Sequence, residues 1–71
     1  MKIELLYDNG VIIPVENDTI DEILENVKKW LRMAYTIRRM DANIVIKVNG
    51  VKRYITSIHM DGTLEQTRLG R

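Results

Sequence analysis

Residues 3–15 of the chain, Ile-Glu-Leu-Leu-Tyr-Asp-Asn-Gly-Val-Ile-Ile-Pro-Val, accept one choice of turn and refuse the other, and that choice constrains everything built around them. With Asp8, Asn9 and Gly10 as a three-residue loop and Gly10 left-handed, Tyr7 faces Val11, Leu5 faces Ile13 and Ile3 faces Val15. That face is wholly apolar. The reverse holds Leu6 with Ile12, Glu4 with Pro14, and Lys2 beside Glu16, a matched charge pair. A two-residue Asn-Gly loop would set Leu5 against Pro14 and Ile3 against Glu16, mixing the faces. The longer loop is therefore expected, with one side of the hairpin in need of cover.

Over residues 17–40 the apolar spacing changes from two to 3.6, with Ile20, Ile23, Leu24, Val27, Trp30, Leu31, Ala34, Tyr35 and Ile37 on one broad stripe. This predicts the chain's one helix. Thr19 followed by Glu22 is a capping-box pattern, in which each side chain satisfies a free donor of the first turn, and Asn17 and Asp18 reinforce the boundary. Acidic Asp18, Asp21, Glu22 and Glu25 come early and basic Lys28, Lys29, Arg32, Arg38 and Arg39 late, complementing the helix dipole, and Glu25 and Lys29 stand at pairing distance. The helix is expected to end between Ile37 and Asp41.

Residues 44–55 read as a second hairpin turning on Asn49-Gly50, which pairs Val48 with Val51, Ile46 with Arg53 and Ile44 with Ile55 on one face. Lys47 with Lys52 and Val45 with Tyr54 fall on the other. A Met60-Asp61-Gly62 loop would add a polar fifth strand, setting Ile58 against Leu64, Thr56 against Gln66 and Tyr54 against Arg68, frayed before Gly70 and Arg71. Pro14 cannot donate a ladder hydrogen bond, so the second strand belongs at an edge. The expected fold is α+β: an antiparallel sheet of four to five strands, ββαββ(β), in the order 2-1-3-4-5, with one helix packed on one face.

A chain of 71 residues has room for a single domain, 1–71, and one that small buries only roughly 60% of its unfolded surface. No cysteine is present to staple it, which fits a reducing compartment, and eleven Lys plus Arg against ten Asp plus Glu leave a net charge of +1 rather than a phosphate-seeking surface. No signal-peptide pattern and no apolar run near the ~20 residues of a membrane span is seen, so a cytoplasmic protein without membrane partners is expected.

One helix shields one side of a sheet. The other side is expected to carry Leu6, Ile12, Val45, Tyr54, Ile58 and Leu64, and with no second helix to bury them this face is the expected interface, most simply with a second copy of the chain. The alternative function is nucleic-acid binding, with Lys47, Lys52, Arg53 and Arg68 as phosphate contacts around Tyr54 as a stacking platform. Lysines at a hairpin tip are also ordinary solubilising residues. The helix flank offers Trp30, Met33 and Met40 as an adaptable edge, and exposure of the two methionines would strengthen a helix-side partner site.

Catalytic chemistry finds no constellation. His59 is the single histidine and Ser57 the single serine, two residues apart on one strand, so their side chains run parallel instead of converging. Asp61 and the Asp8-Asn9-Gly10 triplet are turn signatures without the oxygen ligands a calcium site requires. No phosphate loop, dinucleotide fingerprint or serine elbow occurs. The expectation is a non-enzymatic module with no catalytic, cofactor-binding or metal residues.

Overall fold

The computed structural model describes residues 1–16 and 18–70, so the capping role expected of Asn17 and the fraying expected at Arg71 lie outside the described residues. The elements are β1 (Ile3–Tyr7), β2 (Ile12–Val15), α1 (Ile20–Arg38), β3 (Ala42–Val48), β4 (Val51–Ile58) and β5 (Leu64–Arg68). They form an α+β fold, one antiparallel sheet of order β2-β1-β3-β4-β5 with the helix on one side, as expected.

The first hairpin follows the three-residue loop. Gly10 takes φ +86°, Gly10 N–H donates to the Tyr7 carbonyl at 2.9 Å, and Tyr7 N–H donates to the Val11 carbonyl at 2.9 Å. The register then sets Leu6 on Ile12, Leu5 on Ile13, Glu4 on Pro14 and Ile3 on Val15. Since hydrogen-bonded pairs alternate along an antiparallel ladder, closure at Tyr7 and Val11 turns the backbone of Ile12 and Pro14 toward the unpaired side of β2. Pro14 has no donor there, which blunts that edge.

Helix α1 starts on the expected capping box: Glu22 N–H donates to Thr19 Oγ1 at 3.2 Å and Glu22 Oε1 accepts from Thr19 N–H at 3.5 Å. It stops where Arg39 turns left-handed, φ 55°, with its N–H on the Tyr35 carbonyl at 2.7 Å. The Arg39 guanidinium lies 5.6 Å from the centre of the Tyr35 ring. Glu25 pairs with Lys28 at 3.6 Å, one residue short of the Lys29 partner expected. The helix lies chiefly over β3 and β4, closing a core of Ile3, Leu5, Ile23, Val27, Leu31, Ile44, Ile46 and Ile58. That placement leaves β2 overhanging and the flank of Trp30, Ala34 and Ile37 outside the core, with Ile37 79% exposed.

The second hairpin departs from expectation. Asn49 and Gly50 are both left-handed, as the tight turn requires, and Val48 meets Val51 and Lys47 meets Lys52. A β-bulge at Arg53 then shifts the ladder, so that Ile46 meets Tyr54, Val45 meets Ile55, Ile44 meets Thr56 and Ala42 meets Ile58. One extra residue exchanges the faces of everything beyond it. Tyr54 and Ile58, expected on the open side, pack on the helix side, and Leu64 joins them because it pairs with Ile58. Ile55 and Ser57 take their places on the open side.

Physical chemistry favours this arrangement. An unbroken ladder would place the Arg53 guanidinium opposite Ile46, a residue with 0% exposure, where desolvation is severe. The bulge removes the charge and supplies Ile58 and the Tyr54 ring to the core in its stead. The polar residues drawn in with them are satisfied: Gln66 Nε2 donates to the hydroxyl of fully buried Thr56 at 2.9 Å and to the helix carbonyl of Leu24 at 3.0 Å.

Candidate interaction surface

The four registers fix the open face row by row. Ile12, Leu6, Val45, Ile55 and Thr67 are successive cross-strand partners on β2, β1, β3, β4 and β5. Four adjacent apolar side chains therefore cross the sheet as one band, about 14 Å long at the usual strand spacing of about 4.8 Å. Ile12 is 47% exposed, and Leu6, Val45 and Ile55 are half-buried. The row on one side of the band is Pro14, Glu4, Lys47 and Lys52. The row on the other is Asn43, Ser57 and Glu65. There the Ser57 hydroxyl donates to Asn43 Oδ1, and Asn43 N–H donates to Asp8 Oδ2 at 2.9 Å.

Of the six residues expected on this face, Leu6, Ile12 and Val45 are there. Tyr54, Ile58 and Leu64 are not, Ile58 being 2% exposed inside the core. Ile55 is the member that sequence reasoning missed. The available signal was Arg53: a ladder that buries an arginine invites a bulge beside it.

The nucleic-acid constellation is divided between faces. Lys47 and Lys52 are partners on the open side, while Tyr54 and Arg68 are partners on the helix side, and Arg53 stands at the bulge between them. The base-stacking ring and the paired ammonium groups thus do not share a surface, which corrects the expected platform.

His59 and Thr63 pair across the last turn, His59 N–H donating to the Thr63 carbonyl at 2.8 Å. In that turn the Asp61 carboxyl is held below the usual carboxylate range, first by the Thr63 hydroxyl at 2.6 Å, then by Thr63 N–H at 2.9 Å, with a smaller contribution from His59. Among the described residues no group of three or more His, Asp or Glu side chains is placed to hold a metal ion. No helix among them is long and apolar enough to cross a membrane.

A second apolar surface lies beside the helix. Tyr7 and Ile44 floor a cleft of about 510 Å3 whose helix wall is Trp30, Ala34 and Ile37, with Arg38 and Asp8 at its rim. Met33 and Met40 are exposed at 63% and 60%. This is the exposure that strengthens a helix-side site. Its apolar groups line a notch, however, whereas those of the open face form a continuous band across four strands bordered by charges.

Compared with known proteins, the chain matches no family model, no curated protein and no solved structure.

Proposed function

We propose that this chain is a non-enzymatic protein-interaction module that self-associates through the open face of its sheet. One observation carries the reading: Ile12, Leu6, Val45 and Ile55 form an unbroken apolar band across four strands, on the side opposite the helix. Fully burying such a side chain stabilises an association by roughly 1.5–3 kcal/mol before ordering and association costs. A second sheet stacked about 10 Å away covers a band of this kind. Lys47 and Lys52 then stand at the rim, where they supply charge selectivity.

Sedimentation equilibrium at micromolar concentration tests this with wild type and Val45→Asp. Wild type is expected to sediment as a dimer and the variant as a monomer. Monomers in both overturn the reading. Tyr54 is unsuitable as a probe because its ring packs against the core, so that an acidic substitution there would damage the fold itself. The nucleic-acid alternative has less support, since Tyr54 and the paired Lys47 and Lys52 sit on opposite faces. It requires binding that collapses as salt rises, whereas an apolar interface persists.

A further inference from the structure

Resting on that reading, we propose that the second copy docks about a two-fold axis parallel to the strands and midway between β1 and β3, with Glu4 of each protomer facing Lys47 of the other. Two stacked copies of one sheet can be related by a two-fold running along the strands or by one running across them. The rows of the open face distinguish the two.

An axis along the strands keeps each row on itself and reverses its order. β1 then lies over the partner's β3, and β2 over the partner's β4. In the apolar band Leu6 meets Val45 and Ile12 meets Ile55, each contact occurring twice. In the neighbouring row Glu4 meets Lys47, again twice. An axis across the strands instead superposes opposite rows, carrying Glu4 toward Asp8 of the other copy and Lys47 onto Asn43. Apolar residues still meet apolar residues in that arrangement. The charges, however, repel or go unmatched, so electrostatics selects the first axis.

Glu4 and Lys47 are suited to this role. They are neighbours on the open face and both are half-buried, yet among the described residues neither forms an ion pair within 4.0 Å. Both charges, in the row that borders the band, are thus not consumed by ion pairing among the described residues. Sheets stacked about 10 Å apart lie within reach of a glutamate and a lysine extended toward each other. The strand axes, aligned across the interface under either two-fold, match the aligned mode of sheet packing, inclined by about 30°.

Charge reversal tests the axis. Glu4→Lys alone sets two ammonium groups against each other at every such contact, and Lys47→Glu alone sets two carboxylates, so each homodimer should weaken by about tenfold or more. An equimolar mixture of the two, one labelled with 15N, should form the mixed dimer at about fivefold or more above the statistical ratio in native mass spectrometry, because like charges no longer face each other at both contacts. The preference should shrink in ~1 M salt. The double variant Glu4→Lys/Lys47→Glu should recover wild-type dimerisation. The mixture separates contacts between protomers from the neighbouring pair within each, since mixing leaves the latter unchanged. If wild type dimerises and the mixture stays statistical, this axis is overturned while self-association stands. If wild type is monomeric, both fall.

Discussion

Gln66 and Thr56 face each other from β5 and β4 on the helix side, and the 2.9 Å hydrogen bond between their side chains joins the two strands independently of the backbone ladder. Gln66 Nε2 also donates to the Leu24 carbonyl, so one amide ties the last strand to both its neighbour and the helix. Gln66→Leu leaves the fully buried Thr56 hydroxyl without this donor, and should lower unfolding free energy by about 1–3 kcal/mol. Thr56→Val should cost less, since Gln66 keeps the Leu24 carbonyl. Urea denaturation of both variants measures the difference.

Deletion at the bulge has opposite consequences at adjacent positions. Removing Arg53 leaves Lys52 and Tyr54 consecutive and preserves every observed partner of β3 in a regular ladder, so the variant should fold with stability changed by about 1–2 kcal/mol. Removing Tyr54 instead draws Arg53 opposite Ile46, under the helix. That variant should lose about 3 kcal/mol or more. Thermal unfolding followed by circular dichroism distinguishes them.

Gly62 is constrained twice over. Its φ is +87°, and a Cβ there would lie 3.2 Å from Tyr35 Cε2, a ring whose hydroxyl donates to the Met60 carbonyl at 2.7 Å. Gly10 has a similar φ of +86° but open space around it. Gly10→Ala should therefore cost about 1 kcal/mol from backbone strain, and Gly62→Ala more, because the Tyr35 anchor must also shift. Chemical denaturation of the pair isolates the anchor's share.

Asp61 links acidity to the last turn. A carboxyl whose pKa is lowered by folding contributes stability above its unfolded value, and that contribution is lost as pH falls through the lowered folded value. Thr63→Val removes the hydroxyl responsible for the largest share of the lowering. The Asp61 pKa should then rise toward the ordinary carboxylate value, as read by NMR titration of its side-chain carboxyl carbon.

The two apolar surfaces should respond independently to substitution. Ile37→Ser, on the exposed flank of α1, should change stability by no more than about 0.5 kcal/mol and leave the oligomeric state as it is in wild type. Ile55→Asp, on the open band, should abolish association. Size-exclusion chromatography with light scattering reports both.

Much of this fold is legible before any coordinates. The Asp8-Asn9-Gly10 loop, the Thr19 and Glu22 cap, the end of the helix at Arg38 and the pairing of Ile58 with Leu64 all follow from local residue chemistry, and the sheet order from Pro14 and the reach of the helix. Half of the six residues expected on the open face lie on the other side, and Ile55 was not legible there. Asn49-Gly50 imposes register only on the pairs nearest the turn, Val48 with Val51 and Lys47 with Lys52, and alternation counted past Arg53 inherits an error of one residue. Only the energetic penalty of an inward arginine marks the place, and that penalty is a tertiary quantity, invisible to a period-two count.

Pro14 bears on how the sheet can grow. A filament of stacked strands requires two receptive ends, and a prolyl ring caps one of them here. Hydrogen-bonded extension is left with β5 as its point of entry, so joining there would consume both receptive edges in a closed pair, and runaway polymerisation stops at its first step.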